Sequence, residues 1–303
     1  MLFADASRGR PFSKDPAVVR FQGHYYLYYS VPPDTRCAGG WGIGIAGSDD
    51  LEHWEILGEL EPQGELEAPG ICAPGAIVVR GQVHLFYQTY TGTQTDAICH
   101  AYSQDGIHFT RNPTNPIVRA QGRWNNARAI DADVVVFENR LYLYFATRDP
   151  SGNIQMLGVT SCPMDGQFLR ESWRQCCDAP ILAPRLDWEK TCIEAPAALV
   201  RDNRVYLFYA GAYNNAPQQI GLAVSEDAVH FTRVSSLPFL PCGEPGTWNS
   251  SESGHPFVFE DEDGRIYLFY QGNCDNGKTW TISKAEIVFD AKDSAAPGIP
   301  RLR

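Results

Sequence analysis

The chain has 303 residues, 44% of them hydrophobic and 20% charged, and carries a formal net charge of −11. This composition supports a large folded core. The acidic balance without any Lys/Arg block excludes a phosphate-binding nucleic-acid surface and fits a neutral partner better, and no apolar run approaches the roughly 18 residues of a membrane span.

The first predicted element, KDPAVVRFQGHYYLYYS over residues 14–30, reads as two apolar strands around a Gln-Gly turn, the second crowded with tyrosine. The unit returns four times. Its later copies are VHLFYQT around Leu85, LYLYFAT around Leu143, VYLFYAG around Leu207 and IYLFYQG around Leu268, so that these leucines, counted from Leu27, recur at nearly even spacing. Each tyrosine-rich run follows an apolar stretch through a turn (FQG, VRG, FEN, RDN, DEDG), which predicts a hairpin. Most hairpins are followed by a segment of small and apolar residues, WGIGIAGS, AICHAYS or QIGLAVS, and then by an acidic turn leading to an aromatic, SDDLEHWE, SQDGIHFTR or SEDAVHFTR. These supply third and fourth strands. Four strands in every repeat predict an all-β fold, a five-bladed β-propeller of four-stranded antiparallel blades around a central channel. A single domain then spans residues 1–303, with blades beginning near 14, 72, 129, 193 and 254.

Asp50, Asp105 and Asp227 recur in the acidic turns, where a short carboxylate accepts backbone N–H bonds and stiffens the loop. CDNGKTW, residues 274–280, resembles a sialidase Asp-box, which is also a feature of fold. The nine cysteines show no CxxC spacing and read as reduced thiols. The opening MLFADASRGR lacks the apolar region of a signal peptide, so the chain as written is expected in the cytoplasm; a leader removed beforehand would make it periplasmic or secreted.

In a propeller the first strand of each blade lines the channel, and its leading residues converge at one end. Asp15 and Asp131 stand at the same distance before their aligned leucines, and Glu194 and His255 stand one place further back from theirs; blade two holds Cys72 and Ala73 there. Three acids and a histidine are thus aimed at one funnel. Clustered carboxylates raise one another's pKa, a cost that suits an enzyme needing one protonated and one ionised acid, as glycosidic cleavage does.

These segments resemble the five-bladed glycoside hydrolases, most closely family 43, with families 32, 62 and 117 related. KDPAVV is similar to the first-blade motif of the general base, AIDADVVV to the third-blade motif of the residue that orients the acid and tunes its pKa, and IEAPAALV to the fourth-blade motif of the general acid. The resemblance therefore implies Asp15, Asp131 and Glu194 in those catalytic roles. GHPFVFEDEDG resembles the fifth-blade segment whose histidine faces the channel, which implies His255 as a substrate contact or, largely through water, as a holder of Ca2+. One departure stands in blade two, where the family often has Trp-Ala-Pro-Asp and this chain has Cys72-Ala73-Pro74-Gly75.

Further substrate contacts are expected from Trp124, Trp188 and Trp248, each of which lies shortly before the inner-strand residue of its blade, and from Arg128; aromatic faces stack on sugars. Asn214 and Asn215 are weaker candidates, Glu67 is placed near the rim, and RDP at 148–150 reads as a turn. The expected activity is inverting and exo-acting on plant or algal oligo- or polysaccharides, with arabinofuranosyl, xylosyl or galactosyl units implied by the resemblance. A family 32- or 117-like glycosidase and a sugar-binding propeller without catalysis are the alternatives.

Overall fold

The tyrosine-rich runs are the second strands of five antiparallel sheets, each ordered first to fourth strand outward from the axis. The computed structural model describes residues 1–33, 40–91, 95–289 and 298–303. Blade one is β1 (Lys14–Phe21), β2 (His24–Val31), β3 (Gly42–Ser48) and β4 (Glu55–Leu60). Blade two is β5 (Ile71–Val79), β6 (Gln82–Thr89), β7 (Ile98–Ser103) and β8 (Phe109–Arg111). Blade three is β9 (Asn126–Phe137), β10 (Arg140–Arg148), β11 (Gln155–Pro163) and β12 (Arg174–Gln175). Blade four is β13 (Ile193–Arg201), β14 (Arg204–Gly211), β15 (Gln219–Ser225) and β16 (Thr232–Arg233). Blade five is β17 (Glu252–Glu260), β18 (Ile266–Asn273), β19 (Thr281–Phe289) and β20 (Pro300–Leu302). The chain's first residues also latch onto blade five, Phe3 bridging Ile282 and Phe12 bridging Trp280. No helix among the described residues is long and apolar enough to cross a membrane.

The tyrosines have two jobs. Their rings fill the space between blades, where Tyr28, Tyr29, Tyr87, Tyr144, Tyr206 and Tyr209 are fully buried, each contributing roughly 1.5–3 kcal/mol by burial. Their hydroxyls then need partners. Tyr28 donates to the Gly106 carbonyl at 2.9 Å and Tyr144 to that of Ala228 at 3.0 Å, so each holds the acidic turn of another blade. Tyr87 donates to Glu67 at 2.6 Å and Tyr209 to Glu189 at 2.7 Å, and Arg111 and Arg233 close these two buried triads. Glu67, expected at the rim, is committed to that structural role.

The acidic turns themselves repeat one geometry. Oδ1 of Asp50, Asp105 and Asp227 accepts the backbone N–H of His53, His108 and His230 at 2.8 Å in every case. The eight described cysteines form no disulfide; Cys37 lies outside the described residues.

One irregularity is common to all five inner strands. Register slips between Lys14 and Ala17, between Cys72 and Gly75, opposite Tyr144–Ala146, between Glu194 and Ala197 and between Gly254 and Phe257. At each slip one non-glycine residue takes positive φ: Asp15 53°, Ala73 48°, Asp131 52°, Ala195 47° and His255 42°. Proline follows four of the five, which suits a bulge because proline has no N–H to leave unpaired. The left-handed backbone costs roughly 1–2 kcal/mol per residue. Neighbouring blades offset part of that: Gln271, Ser30 and Gln88 accept the backbone N–H of Asp15, Ala73 and Asp131 at 2.9, 2.8 and 2.7 Å. The acid-proline pair that opens blade one is thus a bulge that turns a side chain into the channel.

Candidate active site

The bulges bring the predicted residues together. Asp15, Asp131, Glu194 and His255 are all buried, between 5% and 8% exposed, at the head of the channel. The strand registers also settle how they relate. Asp15, Ala73, Asp131, Ala195 and His255 are equivalent, each standing at the same step before the partner of its aligned leucine. His255 counts one place further back only because its turn is one residue longer, whereas Glu194 truly stands one place earlier than the others and is equivalent to Lys14 and Cys72.

The imidazole of His255 lies between two acids, Nδ1 at 2.9 Å from Asp15 Oδ1 and Nε2 at 3.4 Å from Glu194 Oε1. Ser30 donates to the other oxygen of Asp15 at 2.5 Å. Glu194 is gripped by two amides, Gln218 donating to Oε1 at 2.7 Å and Gln155 to Oε2. Asp131 has one carboxylate oxygen, Oδ2, buried without a hydrogen-bond partner among the described residues.

Charge follows from these contacts. Burial disfavours the His255 imidazolium, but Asp15, Glu194 and Asp131 outweigh it and raise its pKa well above the ordinary value. Burial likewise works against an ionised Asp15; His255, Lys14 and Ser30 overcome it and hold the carboxyl below the usual range. Burial pushes Asp131 up to about 7, opposed by His255 and reinforced by Glu194 and Asp15. Glu194 would rise for the same reason, yet His255 and Gln218 leave it below its ordinary value. The two buried carboxyls thus lean in opposite directions, Asp131 toward its neutral form and Glu194 toward its ionised form, because the donors reach Glu194.

Asp131, Glu194 and His255 present one potential ligand atom each, all within 4.8 Å of one another. Calcium takes six to eight oxygens. Two carboxylates and an imidazolium whose nitrogens both face acids do not make a directly ligated calcium site.

A cavity of about 250 Å³ opens above the acids, with Trp41, Tyr90, Arg128, Arg148, Tyr213 and Asn214 on its walls. Residues 9–290 match the family model described as "Glycosyl hydrolases family 43". The chain belongs to glycosyl hydrolase family 43. It is 30% identical over 107 residues to a xylosidase/arabinosidase 43A of Humicola insolens (35% of this chain, 30% of the relative). It is 32% identical over 106 residues to a sucrose-6-phosphate hydrolase of Zymomonas mobilis subsp. mobilis (32% of this chain, 21% of the relative). These alignments therefore take in between a fifth and a third of the relatives' own lengths. The crystal structure of a thermostable family-43 glycoside hydrolase shares the fold, with a TM-score of 0.77 at 21% identity, over 99% of this chain and 96% of that one.

Within this family 43 propeller, Arg128 lines the cavity, and its guanidinium is paired with buried Asp96 at 2.9 Å. The three tryptophans do not. Trp188 lies over Gly211 and Gly221, stacked on Tyr209 at 6.0 Å; a Cβ on Gly211 would come within 2.2 Å of it. Trp124 lies likewise on Gly158, and Trp248 packs against Gly272 and Tyr270. The loops that carry them fold back over the blades, so all three seal blade faces and none lines the cavity.

The aromatic wall comes from Trp41, Tyr90 and Tyr213 instead, with Trp41 and Tyr90 5.6 Å apart. Tyr90 directly follows β6 and Tyr213 lies just beyond β14, so the rule that finds them is position past the second strand. Asn214 joins them and accepts from Gln271 at 3.0 Å, whereas Asn215 is tied to Asn273 and Glu252. In RDP, Asp149 does cap a turn, accepting from Asn153 and Ile154 at 2.8 Å, but Arg148 faces the cavity. Gly75, where the family often has aspartate, meets the backbone of blade three so closely that a Cβ would lie 2.1 Å from the Ala132 carbonyl. Blade two therefore offers the site only Cys72 and Ala73 from its inner strand.

Proposed function

We propose that this family 43 chain hydrolyses glycosidic bonds with inversion of the anomeric centre, Asp15 activating water and Glu194 protonating the leaving oxygen. The observation that carries this reading is the pair of ionisation environments on either side of His255. Asp15 is held ionised, as a base must be, and Glu194 stands beside Asp131, a buried carboxyl that keeps a proton up to about pH 7. The ring contacts one acid on each side and so holds the two carboxyl groups apart, as inversion requires. Ser30, Gln155 and Gln218 fix the carboxylates in place, so little reorganisation is needed at the moment of reaction. Asp131 and Glu194 present oxygens within 4.8 Å of one another, so the charge on Asp131 bears on how firmly Glu194 holds the proton it must deliver.

The cavity is of the size of one or two sugar rings, which favours exo action or small oligosaccharides, with arabinofuranosyl, xylosyl or galactosyl units as first candidates. A screen of aryl glycosides with the product anomer followed by NMR tests the reading. Inverted product at first turnover is expected; retained product, or no turnover of any glycoside, removes it.

A hydrated Ca2+ over His255 is part of the same proposal, held through water because direct ligation does not fit. Dialysis against a chelator, with metal analysis, should lower the rate and calcium should restore it. Full activity in metal-free protein removes the ion from the proposal and leaves His255 and Lys14 as the counter-charges of Asp15.

A further inference from the structure

The overall charge of −11 fits a neutral partner, but the cavity has a different local balance. Lys14, Arg128, Arg148 and His255 face Asp15, Asp131 and Glu194. Three of these cations are already engaged. His255 bridges Asp15 and Glu194, Arg128 pairs with Asp96, and Lys14 lies against Asp15, Glu252 and Glu194. Arg148 differs. Among the described residues its guanidinium meets no acid, only the side-chain carbonyl of Gln155, at 3.4 Å from Nε. The charges that chiefly set the three acids are those of His255, Lys14 and Arg128, with Arg148 not among them.

An arginine with its charge uncompensated at the wall of a reaction cavity has a specific use. Its planar fork takes a carboxylate or phosphate through two parallel hydrogen bonds. Tyr213, 37% exposed, shares that wall and offers a hydroxyl donor, and Asn214 follows it. Gln155 connects Arg148 to the reacting centre, its carbonyl toward Arg148 and its amide on Glu194. A group bound at Arg148 is therefore one side chain away from the acid.

We infer that Arg148, with Tyr213 beside it, is a specificity-determining seat for an oxyanion, so that the saccharide bound here carries a carboxylate or a phosphate. The inference rests on the glycosidase reading for its biological sense, but the juxtaposition can be tested without turnover.

Calorimetric titration of the wild type, Arg148→Gln and Arg148→Lys with galacturonate, galactose 6-phosphate and galactose separates the cases, with acetate and inorganic phosphate as controls for bare anions. An acidic sugar should bind at least about tenfold more tightly than galactose, the worth of one charge-assisted hydrogen bond. Arg148→Gln should erase that gap and Arg148→Lys should keep part of it. Tighter binding of galacturonate assigns a carboxylate, and tighter binding of the sugar phosphate assigns a phosphate. Equal affinity for galactose, a gap that survives Arg148→Gln, or no heat with either acidic sugar overturns the inference. Because binding is read directly, the aryl glycoside screen reports separately on whether the protein is a glycosidase.

Discussion

Asp15→Asn is expected to lower turnover of every substrate by about 10²–10⁴-fold, the usual contribution of a positioned general base. Asp15 is the acid held most firmly in its ionised form, by His255 at 2.9 Å, by the Ser30 hydroxyl and by Lys14, and an amide there cannot take a proton from water. Glu194→Gln should show a different pattern. The same range of loss is expected for natural glycosides, whose leaving alkoxide must be protonated, but dinitrophenyl glycosides should be largely spared because their leaving group departs without help. Comparison of kcat/KM across leaving groups checks both. Equal losses for good and poor leaving groups in Glu194→Gln would remove it as the acid. Both variants keep hydrogen-bonding side chains of the original shape at buried positions, and a circular dichroism melt controls for folding.

Asp131→Asn carries the second large effect, and it should separate activity from stability. Asp131 keeps its proton in the folded protein up to about pH 7, while its unfolded value is near 3.8. A folded pKa raised above the unfolded one means that the folded state binds more protons between those limits, so stability falls as pH rises from about 4 to 7. Asparagine cannot ionise. The variant should therefore lack this contribution to the fall, and its melting temperature should exceed that of the wild type by an increasing margin from about pH 4 to pH 7, while the rate drops. Below that range the margin should close. The basic limb of the pH–rate profile should also move to lower pH, because removing a carboxyl neighbour makes the proton of the pair easier to lose. Parallel melting profiles together with an unmoved limb would reduce Asp131 to scaffolding.

Much of this molecule is legible along the chain. Hairpins, blade count and the converging inner strands follow from the evenly recurring leucines and from tyrosine-rich runs whose near-continuous apolar character suits a strand with both faces covered. Asp15, Asp131 and His255 are legible because equivalent positions in a repeat must share a place in space, and departures from the repeat then stand out. Glu194 shows the limit of counting. Glu194 and His255 both count one place further back from their leucines than Asp15 and Asp131 do, but the causes differ, a longer turn in blade five and a true offset in blade four. Only strand pairing tells them apart.

The cavity wall was decided by tertiary structure. Trp124, Trp188 and Trp248 precede the inner strands in sequence, yet glycines at 158, 211 and 272 leave spaces that indole rings fill more favourably than they would cover a wet opening. Trp41, Tyr90, Arg148 and Tyr213 come from four different blades and share a position at or past the end of the second strand but no residue pattern. The protonation pattern is equally non-local. Asp131 and Glu194 are both buried carboxyls, and what biases one toward its neutral form and the other toward its ionised form is which donors the fold delivers: Gln218 and His255 reach Glu194, and Asp131 Oδ2 is left without one among the described residues. A sequence repeat determines where side chains converge because it acts through backbone geometry, whereas charge and shape at the site depend on contacts between blades that no single stretch of chain contains.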